Sequence, residues 1–235
     1  MGPEEIDQRF ARLSTAHVAD ACVRAQVPVR CAPAAVKSVV AGDRVAGRAL
    51  PARHVGSVDI FLEALEGATP GEVLVVDDGG RHDASCVGDL VVLEAAAAGL
   101  AGVVIWGLHR DTVDIRAIGL PVFSMGAIPT GPLRPGVRPP DALDSATVGD
   151  WLVTRDDVGL AADDGVLFVP AMRADELFAI AEGIRDTERG QADRMRGGVS
   201  LREQVQFGEY LAERSRNPSL TFREHLRAVR GAIEE

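Results

Sequence analysis

Two carboxylates, one guanidinium and a glycine stand in this chain at a spacing that can do chemistry. Gly88-Asp89 opens one segment and Arg110-Asp111 another, with twenty residues between Asp89 and Arg110. Carboxylate oxygens hold hard divalent cations. A guanidinium presents paired donors to a carboxylate or to an enolate as it forms. If Gly88-Asp89 begins a helix, the amides of Leu90 and Val91 lack partners within it and offer a seat for a small anion. A plainer reading stands beside this one: Asp89 as a helix cap, and Arg110-Asp111 as a surface ion pair at a strand end.

Other reactive residues carry less. His82-Asp83 and Cys86 share one loop, where a Cys–His nucleophile pair lacks a third partner and His82 fits better as a substrate contact. His109 reads as structural or as a rim residue, and His17 and Asp20 as core or capping residues of a first helix. His54 and Arg53 end a strand within reach of a substrate. Lys37 is the only lysine, in a segment without other catalytic signals. Schiff-base and pyridoxal chemistry need a lysine amine, so if this chain makes or breaks carbon–carbon bonds, a metal is the expected electron sink. His-Glu-x-x-His, Cys-x-x-Cys, Gly-x-Ser-x-Gly and Gly-x-Gly-x-x-Gly are absent.

The elements that must position these groups are legible around them. Residues 73–76 (Val-Leu-Val-Val) and 103–106 (Val-Val-Ile-Trp) are short apolar runs, each followed by glycine or aspartate, and read as buried strands. Residues 90–98 between them read as a helix stopped by Gly99. Strand, helix and strand of these lengths make a right-handed parallel βαβ unit. Its carboxyl edge gathers Asp89, Arg110 and Asp111, where open α/β sheets bind ligands. Helices are also predicted over the first stretch, from Ser14-Thr15, and over 57–65. Strands are predicted over 45–55 and 121–124, then 150–154 and 166–169 around a turn at Asp163-Asp164-Gly165. Residues 130–140 read as loop. A long amphipathic helix over 173–195 is broken by Gly197-Gly198, and two shorter helices follow. The organisation predicted is an α/β core over residues 1–170 and a C-terminal helical extension over 171–235, packing on the core or on a neighbouring subunit.

Composition bounds the partners. The 235 residues carry a net charge of −10, which disfavours a nucleic-acid backbone as partner. No apolar run reaches the ~18 residues that would cross a bilayer, and three cysteines make no disulfide framework. The expectation is a cytoplasmic protein with no membrane and no nucleic-acid partner.

The spaced triplet, in its surroundings, resembles the Asp-x20-Arg-Asp signature of the family of 4-hydroxy-4-methyl-2-oxoglutarate aldolases and the regulator of ribonuclease E activity A, the RraA-like family. Pro70-Gly71-Glu72 leading into the first strand, Gly79-Gly80, Gly99-Leu100-Ala101-Gly102, Leu120-Pro121-Val122-Phe123, Ile128-Pro129-Thr130-Gly131-Pro132 and Ala162-Asp163-Asp164-Gly165-Val166 match it as well. The likeness covers roughly residues 13–198.

The resemblance implies a layered α/β fold and a metal-dependent lyase that releases pyruvate from a small 2-oxo acid, with oxaloacetate decarboxylase side activity. It implies Asp111 as direct ligand of Mg2+ or Mn2+ and Asp89 as ligand through water. Arg110 is implied as the group that holds the substrate and stabilises the enolate, with Gly88 and the Leu90 and Val91 amides gripping the carboxylate. It further implies a homotrimer or a hexamer, in which a glutamate from a neighbouring C-terminal helix, Glu188 here, supports metal-bound water. The alternative within the same family is a non-catalytic protein that restrains a ribonuclease; those relatives depart from Arg-Asp at the position where Arg110-Asp111 is intact. Two departures stand out. Family aldolases often carry Gly-Glu-Leu where this chain has Gly88-Asp89-Leu90, and residues after Ser200 extend beyond the family's short members.

Overall fold

The computed structural model describes residues 1–132 and 135–229. The chain divides into two compact units, Met1–Phe178 and Ala179–Glu235.

The first unit opens with helices α1 (Pro3–Phe10) and α2 (Thr15–Arg24), followed by strands β1 (Arg30–Cys31), β2 (Lys37–Ser38) and β3 (Val45–Arg53). Helix α3 (Asp59–Glu66), β4 (Val73–Asp77), β5 (Ser85–Val87), α4 (Asp89–Ala97), β6 (Gly102–Trp106) and β7 (Leu108–His109) come next. Then follow α5 (Thr112–Ile118), β8 (Val122–Ser124), β9 (Ser145–Val148), β10 (Trp151–Thr154), β11 (Asp157–Ala162) and β12 (Gly165–Pro170). A 3-10 turn at Ala171–Arg173 leads into α6 (Ala174–Arg196), which passes from the first unit into the second.

Eight strands form one mixed sheet in the order β1-β12-β11-β3-β4-β6-β8-β2. Its centre is parallel: β3 beside β4, β4 beside β6, β6 beside β8. Every residue of β4 is buried, as expected of a strand covered on both faces. Ile60, Phe61, Leu74, Val92, Ile105 and Ile115 belong to the core on the helical side. On the other side Val45, Val75, Val104, Phe123, Val148 and Phe168 form a second core, under the β9–β10 hairpin. The mixed α/β class and the β4-α4-β6 crossover are as the sequence predicts.

The structure departs from the sequence reading at three places. Between the two predicted segments lies an unpredicted strand, β11, which pairs with 166–169 across the Asp163-Asp164 turn, while 150–154 forms its own hairpin with β9. Strand β11 (Asp-Val-Gly-Leu-Ala-Ala) is mostly small residues, so its buried character is hidden in a hydropathy pattern. Helix α5 is unpredicted, because seven residues with one buried side chain, Ile115, show no periodicity. Among the described residues the tail after Gly198 holds three helices, not two.

Those three are α7 (Leu201–Gln204), α8 (Phe207–Arg216) and α9 (Phe222–Val229), all in the second unit. Ser200 caps α7 with a reciprocal Ser–Glu203 box. Phe207, Tyr210, Phe222 and His225 cluster with ring centroids 5.0–6.1 Å apart, and His225 Nε2 meets the Val205 carbonyl at 2.8 Å. Among the described residues no helix is long and apolar enough to cross a membrane.

Candidate active site

A two-stranded parallel ladder, β5 with β7, does the positioning that the sequence left to the main sheet. Val87 pairs with His109, and the Arg110 amide donates to the Val87 carbonyl at 3.0 Å. The residues that follow each strand, Gly88-Asp89 and Arg110-Asp111, are therefore side by side. His109 ties this register to its neighbours. Its Nδ1 lies 2.7 Å from Ser124 Oγ and its Nε2 3.0 Å from Thr112 Oγ1, and burial holds its pKa below the ordinary imidazole value. With both ring nitrogens occupied, His109 is a clamp and not a base.

Gly88 is the N-cap of α4, so Asp89 is the helix's first residue and does not cap it. A side chain at 88 would push these groups aside: a Cβ there would stand 2.6 Å from Asp111 Oδ2 and 3.2 Å from Arg110 Nε. A Cβ on Gly131 would stand 3.0 Å from Arg110 Nη1. Both glycines thus lie close to the guanidinium. Asp111 occupies the left-handed backbone region (φ 58°, ψ 39°) at the start of α5 without capping that helix. An aspartate in that conformation stores strain, as functional residues often do. Arg110 Nε donates to Asp111 Oδ2 at 3.2 Å, and the two side chains remain 49% and 35% exposed.

These groups border a cleft of about 260 Å3 whose lining includes Gly88, Asp89, Leu90, Val91, Arg110 and Gly131. Arg110 is also part of the wall of an adjoining depression that holds Asp111 and Thr112. By helix geometry the first-turn amides of α4 lack i−4 partners, and they belong to residues of the cleft wall. The donor set also suits a hard ion. Asp89 and Asp111 offer oxygen only, Asp111 is partly open to solvent, and Mg2+ binds through one or two carboxylates with water filling the rest.

The remaining candidates fall elsewhere. His82 is exposed and outside the cleft lining. Arg53 is turned to Asp77, Asp141 and Ser145. His17 completes a capping box with Ser14 at the start of α2, with Asp20 exposed on the same helix. Lys37 is exposed in β2. Glu188 lies on an exposed stretch of α6, in the second unit.

One cluster went unread in the sequence. His54, Asp78 and Cys86 converge at the cleft, with His54 Nδ1 2.7 Å from Asp78 Oδ1. They come from three separate segments, and Asp78 carries no motif of its own.

The fold and this edge of the sheet define a known class. The chain belongs to the RraA-like family (Aldolase/RraA), whose model matches residues 15–168. A relative in Aromatoleum aromaticum, provisionally named a 4-hydroxy-4-methyl-2-oxoglutarate aldolase, is 36% identical over 104 residues, 44% of this chain and 64% of that protein. One from Laribacter hongkongensis, with the same provisional name, is 32% identical over 129 residues, 53% of this chain and 81% of its own. The chain thus spans less than two thirds of the first relative's length and most of the second's. Among solved structures, Streptomyces coelicolor RraAS2, described as an unusual member of the RNase ES inhibitor RraA family, superposes with a TM-score of 0.68 at 27% identity. That match covers 82% of this chain and 98% of that one.

Proposed function

We propose that this protein is a divalent-metal-dependent lyase that cleaves a 4-hydroxy-2-oxo acid, such as 4-hydroxy-4-methyl-2-oxoglutarate, to pyruvate. Oxaloacetate decarboxylation is its side activity. One observation carries the reading: Asp111 and Arg110 lie together over Gly88 at the first turn of α4.

The chain's own groups divide the work. The Leu90 and Val91 amides seat the substrate carboxylate at the helix N-terminus. Arg110, beside Gly88 and Gly131, takes the keto end. As the 4-hydroxyl loses its proton, C4 becomes a carbonyl and the C3–C4 electron pair passes into the enolate of pyruvate. Arg110 stabilises that charge, and protonation at C3 completes the product. Mg2+ or Mn2+, held by Asp111 and through water by Asp89, supplies Lewis-acid stabilisation when bound. Loss of carbon dioxide from oxaloacetate leaves the same enolate, so one site serves both reactions.

The assembly proposed is a homotrimer or a hexamer, with Glu188 of a neighbouring subunit supporting the metal's water. Its physical support is apolar surface beside the cleft. Val58, Leu62, Leu90, Leu93 and Val113 are each more than half exposed on and beside α3, α4 and α5, and α4 packs against both other helices.

The direct test is pyruvate release from 4-hydroxy-4-methyl-2-oxoglutarate and from oxaloacetate, read through lactate dehydrogenase. Pyruvate from both supports the reading. Pyruvate from neither, with tight binding to a ribonuclease, favours the restraining role instead.

A further inference from the structure

The cleft holds a second donor set that the proposed reaction does not use. His54 follows β3, Asp78 follows β4 and Cys86 lies in β5, and one ligand atom from each lies within 4.8 Å of the others. The His54 and Asp78 side chains are 2% and 3% exposed. The His54 ring is held flat against Phe61, with centroids 5.3 Å apart and planes at 9°. Asp78 packs on Gly107, where a Cβ would stand 2.8 Å from the Asp78 Cβ, so the main chain is shaped to admit this carboxylate. His54 and Cys86 both line the cleft.

Imidazole, carboxylate and thiolate together are a borderline-soft set, unlike the all-oxygen pair Asp89 and Asp111, and they suit Zn2+. Zinc bond lengths of about 2.0–2.3 Å place tetrahedral ligands roughly 3.3–3.7 Å apart. The cluster reaches that with shifts on the order of 1 Å, the 2.7 Å His54–Asp78 contact opening and the wider separations closing. Charge balances too. A thiolate and a carboxylate neutralise a dication in a buried setting where either anion alone is costly.

We infer that His54, Asp78 and Cys86 form a three-ligand zinc site in the wall of the cleft, with its fourth position open to water or a small anion. On binding, the Cys86 thiol proton leaves to solvent and the sulfur bonds the metal. This site is independent of the lyase reading, and its test is a binding measurement that stands whether or not pyruvate is released.

Full-length protein stripped of metal is titrated with Co2+ and followed by thiolate-to-cobalt charge-transfer absorption in the near ultraviolet. The expected result is one absorbing Co2+ per chain, displaced by Zn2+, and unchanged in Asp111→Asn and Cys31→Ser. Cys86→Ser abolishes the band, and His54→Ala weakens Zn2+ binding at least tenfold. Should the variants not fold, alkylation of Cys86 in the wild-type chain reads the same site: Zn2+ protects the thiol and Mg2+ does not. No band, a band that persists in Cys86→Ser, a band lost in Cys31→Ser, or alkylation indifferent to Zn2+ each overturns the site.

Discussion

At the scale of single residues, Arg110 bears the sharpest claim. Its guanidinium passes close to two glycines, Gly88 and Gly131, and pairs with Asp111. A lysine ammonium cannot present paired donors in one plane. The enolate charge arises only as the bond breaks, so Arg110→Lys lowers kcat and leaves KM nearly unchanged. Loss of such a preorganised donor costs on the order of 3 kcal/mol, roughly a hundredfold in rate. Steady-state kinetics with oxaloacetate check this, and a near wild-type kcat in Arg110→Lys contradicts it. That Asp89 and Arg110-Asp111 reach one edge was legible in the sequence, because a βαβ unit brings helix start and strand end together, but the β5–β7 ladder that aligns them was not. Nor was the company of His54, Asp78 and Cys86. Nothing in local pattern says that the ends of β3 and β4 meet β5 around one point.

Elements explain how so small a site stays in register. The β5–β7 ladder is short, and its hold depends on His109 bridging Ser124 and Thr112. Burial keeps the folded-state pKa of His109 below that of the unfolded chain. The folded protein therefore resists a proton that the unfolded chain accepts. Its contribution to stability is complete above about pH 6.5 and is lost as pH falls below that value. An acid-side decline in Tm is expected below that value, and it flattens in His109→Gln. Thermal unfolding between pH 7.5 and 5.5 measures it; an equal slope in both proteins removes His109 as the cause. These elements were the least legible part of the fold. Two- and three-residue strands and a seven-residue helix carry too few side chains for a period to show, whereas β4, α4 and β6 announce themselves by length and burial.

At the scale of the whole molecule, the parallel centre of the sheet and its crossover were readable from apolar runs, while the β11–β12 pairing was concealed by small residues. The exposed apolar side chains of α3, α4 and α5 have a consequence for assembly. Sedimentation at micromolar concentration is expected to show trimers or hexamers, and Leu90→Glu with Leu93→Glu to shift them toward monomer. A wild-type monomer that retains activity contradicts that arrangement. The central claim is that a hard ion at Asp111 and the guanidinium beside it release pyruvate from a 2-oxo acid. The most direct measurement is pyruvate formation by the wild-type chain and by Asp111→Ala, each with EDTA and after Mg2+ or Mn2+ is restored. Wild-type turnover is expected to be abolished by EDTA and recovered with metal, and Asp111→Ala to remain at least a hundredfold slower than wild type after metal is restored. Turnover untouched by EDTA, or by Asp111→Ala, would contradict that claim.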